Sequence, residues 1–275
     1  MSYPVKFSAN ASTITVTHPE EWLWVVELQN GNDNHLDKAM VEQGLQPALD
    51  VVEKDWRTQW RTSKKNKEKT GPPGALVFVG AGDKFFSNGL DYAGVIADLN
   101  FFPVTYDPFL ARLLTFPIPT IAAINGHCMA GSMMLATACD YRVMTDGSSK
   151  RAFMCMNEVL FGAIWPLSFA ALARAKFPGG QRLRKIAIEG HKFTPQEALA
   201  DGLVDHIVAG DTNAVIAKAA EVGKAASASA RGGTWGLIKA DLFRDVLDTF
   251  RQQSRPMNPE IDNAAAERRL GLSKL

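Results

Sequence analysis

The chain has 275 residues, 30 Lys and Arg against 29 Asp and Glu for a formal charge of +1, 46% apolar and 21% charged residues. That composition supports a full hydrophobic core in one large domain, or one domain with a smaller appendage. It leaves no basic surplus to hold a phosphate backbone, which excludes general nucleic-acid binding.

No stretch reaches the ~20 uninterrupted apolar residues of a membrane span; the most apolar one, 116–139, is broken by Pro117, Pro119, Asn125, Gly126, His127 and Gly131. The start, MSYPVKFSAN, has neither the apolar core of a signal peptide nor the arginines of a transit peptide. Cys128, Cys139 and Cys155 lack metal-ligand spacing, so no metal site is expected, and they read as reduced core thiols in a reducing compartment.

In chain order, residues 12–17 and 22–28 read as strands, rich in β-branched and aromatic side chains and separated by the turn-prone His18-Pro19. Residues 30–34 read as a loop. Leu45, Leu49, Val52, Trp56 and Trp60 then recur at spacings of three and four, the apolar face of a helix. Pro47 should kink that helix or sit in its first turn. The charge run at 63–70, before Gly71-Pro72-Pro73-Gly74, reads as a solvated loop. Residues 75–79 form a continuous apolar strand, 118–124 another, 131–138 a helix and 141–144 a third strand. Short apolar strands alternating with helices indicate parallel pairing buried on both faces.

From Pro166 onward helical periods dominate. Trp235, Ile238, Leu242, Val246 and Phe250 make a stripe that reads as core or subunit contact. The expected organisation is an α/β core over 1–195 and a mostly helical region over 196–275. The chain ends in Ser273, Lys274 and Leu275. A free C-terminal S-K-L is an address read by the peroxisomal import receptor, which predicts a peroxisomal protein or one of a related organelle.

Three segments that follow predicted strands or turns could carry chemistry. GAGDKFFSNGLDY at 80–92 and NGHCMAGSMM at 125–134 offer glycine turns with free backbone amides rather than side-chain nucleophiles. Neither fits a phosphate-loop or dinucleotide fingerprint. In NEVLFGAIWP at 157–166, Glu158 stands among apolar residues with no Lys or Arg from 152 to 173. Such a carboxylate is either exposed by local geometry or desolvated with a raised pKa, and the second state makes a usable general base.

Together these segments resemble the crotonase family of enoyl-CoA hydratases and isomerases. FFSNGLD at 85–91, FPIPTIAAINGHCMAGSMMLATACDYRV at 116–143, NEVLFGAIWP at 157–166 and FTPQEALADGLVDHIV at 193–208 carry the likeness over roughly residues 15 to 210. The resemblance implies an α/β fold, a ββα spiral core with a C-terminal helical trimerisation region, assembly as a homotrimer or hexamer, and an acyl-CoA thioester substrate with no cofactor beyond its coenzyme A.

By position it implies oxyanion-hole amides at Leu90 and Gly131 and an acid/base at Glu158. Ser87, Asn88, Gly89, Asp91, His127, Ala130, Phe161 and Trp165 are the implied substrate-binding positions. Ala130 stands where the family often has Gly, and Ser132 lies close to the implied hole. Hydratases of the family carry a second glutamate where this chain has Met134. One acid/base suits a 1,3-proton shift, as in Δ3,Δ2-enoyl-CoA isomerases of fatty-acid β-oxidation. Other readings are a hydratase, a thioester hydrolase, a dienoyl-CoA isomerase using Asp91 or Asp140, and a non-catalytic CoA-binding or scaffolding protein.

Overall fold

The computed structural model describes residues 2–252 and 259–272. The chain opens with an antiparallel meander, β1 Val5–Ala9, β2 Ser12–Glu20 and β3 Leu23–Asn30. No strand was expected before residue 12, yet Val5, Phe7 and Ala9 alternate inward while Lys6 and Ser8 face out, and Val5 pairs with Val16. His18-Pro19 is no turn either: β2 runs through it with a register shift between Thr17 and Glu20, and the reversal comes at 21–22. A bulge tolerates Pro19 because that position need not donate to the ladder. His18 is held by a 2.8 Å contact from Nδ1 to Leu23 O and by stacking on Trp24.

A π-helical turn, Met40–Leu45, leads into α1, Gln46–Lys65, with Pro47 in the first turn of α1. Leu45, Leu49, Val52 and Trp56 are buried. The helix extends into the charge run as far as Lys65, because Lys64 and Lys65 suit the negative end of its dipole.

The core then repeats one pattern. β4 Ala75–Gly80 is followed by the short β5 Phe85–Ser87 and by α2 Tyr92–Ala97 and α3 Asp107–Leu114. Next come β6 Thr120–Ile124, β7 His127–Met129 and α4 Gly131–Ala138, and then β8 Tyr141–Thr145, β9 Met154–Cys155 and α5 Leu167–Lys176. Each round gives one strand to a seven-stranded sheet and one to a three-stranded sheet before its helix. This is a ββα spiral. After α6 Gly180–Leu183 and α7 Pro195–Ala200, β10 His206–Val208 completes the large sheet, ordered β1-β2-β3-β4-β6-β8-β10; the small one is β5-β7-β9. All pairs from β3 outward, and both in the small sheet, are parallel.

The large sheet is covered on both faces. α8, Thr212–Ser227, lays Val215 and Ala219 on Val77, Ile121 and Val143, while the opposite face joins the main core with Phe78, Ala122 and Met144. β10 and α8 thus belong to the layers of the spiral although they follow residue 195. The remaining helices are α9 Trp235–Leu242, α10 Arg244–Phe250 and α11 Pro259–Leu270. The apolar stripe is divided at Phe243 between α9 and α10: Val246 and Phe250 are core, whereas Ile238 and Leu242 face outward with Leu237.

α9 is fastened to the spiral by Asp140, in the turn between α4 and β8. Its carboxylate accepts from Thr120 N, Trp235 Nε1 and Lys239 Nζ at 3.0 to 3.1 Å. Lys239 and Asp140 are both almost wholly buried. Asp140→Asn strands the Lys239 ammonium, and it is expected to cost about 3 to 5 kcal/mol, read as a fall of roughly 10 °C in the thermal unfolding midpoint. An unchanged midpoint contradicts the clamp.

Candidate active site

The site forms where β5 and β7 end side by side. Gly89 takes φ +96°, a left-handed region open to glycine, and a Cβ there would lie 2.8 Å from Met129 O. Leu36 N donates to Gly89 O at 2.7 Å and Asp91 N donates to Leu36 O at 3.1 Å. Leu90, between them, is paired to Leu36 as an isolated bridge, so its own N–H points away from Leu36. Gly131 is the first residue of α4, and its N–H has no acceptor within the helix. A Cβ on Gly131 would stand 2.5 Å from Leu90 Cγ, so only glycine lets the two segments meet.

Ala130 carries a side chain where glycine would be at ease. Its φ of 49° and ψ of −130° lie outside the regions favoured by L-residues, and its N–H is pinned to Cys155 O at 2.7 Å.

Glu158 opens the 3₁₀ turn Glu158–Phe161, which Gly162 ends in a left-handed conformation. It is 8% exposed, and Trp165 Nε1 donates to its Oε2 at 3.3 Å. Burial raises its pKa from the ordinary carboxylate range, against smaller lowering effects of its own backbone amide and the indole. Leu90, Gly131 and Glu158 line one cavity of about 460 Å3, with Phe161, Trp165 and Phe169 among its apolar walls. Two amide donors therefore share a largely apolar pocket with a single carboxylate of raised basicity. That set can polarise a carbonyl oxygen and move a proton on the carbon beside it.

Of the implied binding positions, Ala130, Phe161 and Trp165 also line this cavity. The others are placed elsewhere. Ser87 is buried and its Oγ accepts from Gly89 N at 3.2 Å, shaping the turn. Asn88 is turned outward to Asp33, its Nδ2 donating to Oδ2 at 3.1 Å. Asp91 precedes α2 and folds over it, its Oδ2 beside Gly94. His127 lies on the far face of the small sheet between Phe85 and Phe153; burial, then Lys84, Arg151 and Lys192, push its pKa down. Asp140 serves the α9 clamp, and Met134 is wholly buried in the core.

The sequence reading missed the wall opposite Trp165, made by Tyr92, Val95, Ile96, Leu99 and Phe102. α2 has no buried residue, so core periodicity does not reveal it; the signal was an apolar cluster directly after the first glycine turn. Among the described residues no group of three or more His, Cys, Asp or Glu side chains is arranged to hold a metal ion, and no helix is long and apolar enough to cross a membrane.

Residues 63–234 match the family model described as Enoyl-CoA hydratase/isomerase, and the chain belongs to that family, with its crotonase-type fold. Isomerases of this family need no cofactor beyond the coenzyme A of the substrate. Among particular relatives, the chain is 31% identical over 192 residues to Enoyl-CoA delta isomerase 2, peroxisomal, of Arabidopsis thaliana, covering 66% of this chain and 79% of that one. It is 32% identical over 188 residues to Enoyl-CoA delta isomerase 3 of the same plant, covering 66% and 77%. An apo enoyl-CoA isomerase structure from Mtb superposes with a TM-score of 0.70 over 92% of this chain and 98% of that one; at 22% identity it supports the fold alone.

The backbone at Ala130 yields a direct test. Ala130→Gly removes about 1 to 3 kcal/mol of strain against about 0.4 to 1 kcal/mol of added chain entropy. The variant is expected to unfold roughly 2 to 4 °C higher in a thermal scan; a lower midpoint contradicts the strain.

Proposed function

We propose that the protein isomerises 3-enoyl-CoA to 2-trans-enoyl-CoA, serving the β-oxidation of unsaturated fatty acids. One observation carries this reading: a single buried carboxylate, Glu158, lines an apolar cavity with Leu90 and Gly131, whose N–H groups have no acceptor among the described residues, while Met134 is buried in the core where the resemblance implies a second glutamate.

The thioester oxygen accepts from Leu90 N–H and Gly131 N–H. Glu158 removes a proton from C2, and the negative charge passes to that oxygen as a dienolate. Each such donor is worth about 2.7 to 4 kcal/mol in enzymes where one has been removed. Glu158, now a carboxylic acid, returns the proton to C4, and the double bond moves from C3–C4 to C2–C3. No water enters the balance, so no second carboxylate is needed to activate one. Trp165 Nε1 holds Oε2, which leaves Oε1 to carry the proton between the two carbons.

The remaining expectations rest on separate support. The outward Leu237, Ile238 and Leu242 of α9 offer an apolar face for self-association into a homotrimer or hexamer. Ser273, Lys274 and Leu275 lie outside the described residues; as an import address they would deliver the protein to the peroxisome, the compartment that the names of two Arabidopsis relatives carry.

Incubation with 3-enoyl-CoA, with 2-enoyl-CoA in water and with 3,5-dienoyl-CoA is expected to give turnover of the first, and hydration of the second alone overturns the proposal. Glu158→Gln keeps the shape and removes the base, so kcat is expected to fall about 10²- to 10⁴-fold with KM nearly unchanged. Undiminished turnover contradicts the role.

The pH dependence follows from the raised pKa. The base form is present above that pKa and lost below it, so kcat/KM is expected to fall with decreasing pH through a limb above the ordinary glutamate value of about 4.3. A rate profile flat to pH 4.5 contradicts a desolvated base.

A further inference from the structure

Two hydroxyls behind the cavity hold the segments that carry the donors. Ser132 is fully buried in the first turn of α4. Its Oγ lies 2.7 Å from Ser87 O at the end of β5 and 2.7 Å from Met129 O at the end of β7. The hydroxyl has one proton, shared between two carbonyls that belong to the two segments meeting at the site. Among the described residues, Ser132 makes the only hydrogen bond that joins the 87–91 segment to α4.

Tyr106 acts from the other side. It precedes α3, is fully buried, and donates from Oη to Gly131 O at 2.7 Å. Burial pushes its phenol far above the ordinary range, so it remains a donor at every working pH. The ring is fixed against Phe101 and Phe169. Gly131 is thus held through its carbonyl, and the next residue through its side chain.

We propose that Ser132 and Tyr106 are positioning residues that set the separation and aim of the Leu90 and Gly131 N–H groups without touching the thioester. The proposal rests on the reading of those two amides as oxyanion donors. Such donors act through fixed geometry, and a displacement of a fraction of an ångström weakens them more at the developing oxyanion than at the ground-state carbonyl. Loss of either hydroxyl should therefore lower kcat and leave KM largely alone.

The test uses full-length Ser132→Ala and Tyr106→Phe with 4-(dimethylamino)cinnamoyl-CoA, a thioester whose absorption moves to the red when its carbonyl is polarised. Wild-type protein is expected to show the shift. Each variant should lose at least half of it, with probe affinity within threefold of wild type and kcat for 3-enoyl-CoA lowered ten- to hundredfold. Variants that melt at a lower temperature yet keep the full shift and kcat overturn the proposal, because a merely structural role predicts that result. Should Ser132→Ala fail to fold, Tyr106→Phe decides alone, since it deletes one oxygen from a buried ring. A wild type that isomerises 3-enoyl-CoA without any shift overturns the oxyanion reading itself, an outcome separate from failure of the variants.

Discussion

Two buried asparagine amides hold the corner at which the chain leaves the large sheet for the small one. Asn125 accepts from Gly80 N at 3.2 Å and donates to Gly80 O and Gly82 O at 2.9 and 2.8 Å. Asn34 donates to Ala81 O and Phe85 O at 2.9 and 3.1 Å and accepts from Asn30 N at 3.1 Å. A strand that breaks out of its sheet inside a protein leaves backbone groups without ladder partners, and each one left unmet costs about 1 to 3 kcal/mol. The two side chains replace that ladder. Gly126 completes the corner, since a Cβ there would lie 2.4 Å from Lys84 O.

From this corner the rest of the site follows. β5 begins where the amides release the chain, β7 pairs beside it, and both end within contact of each other. Their ends each deliver one N–H without an acceptor among the described residues, from a bridge residue on one side and a helix start on the other. Rigid strands place these donors to a tolerance that a free loop would not hold. The carboxylate arrives from the third round of the spiral, on the turn after β9, and burial in the apolar cavity raises its basicity; in the proposed reaction the same surroundings would strengthen the pull of the amides on a developing negative charge.

Much of this was legible in the residues. The apolar runs of β4, β6 and β8 announce parallel strands buried on both faces, and the glycine turns after β5 and β7 mark where backbone can approach a ligand. Glu158 stands out by its company. What escaped has physical causes. Spacing identifies the segment at the site but not the side of a short strand, so His127 belongs to the far face while the next residue, Cys128, points into the core. Asn34 and Asn125 look like ordinary turn residues, because a polar residue beside a turn has the same signature whether it faces water or replaces a ladder. α2 was invisible because pattern reading finds buried faces, and a cavity wall is half exposed. The stripe through α9 and α10 keeps helical spacing across Phe243, although the backbone changes direction there.

The three cysteines carry a consequence of another kind. All are buried and unpaired; desolvation pushes Cys128 and Cys139 up to about 12 and Cys155 up to about 11. At neutral pH these sulfurs stay thiols rather than thiolates, the form that peroxide attacks. The groups proposed for catalysis, a carboxylate and two peptide amides, have no redox chemistry. Cys128, Cys139 and Cys155 therefore give hydrogen peroxide no activated thiol, which would protect the chain in the peroxisomal setting proposed above.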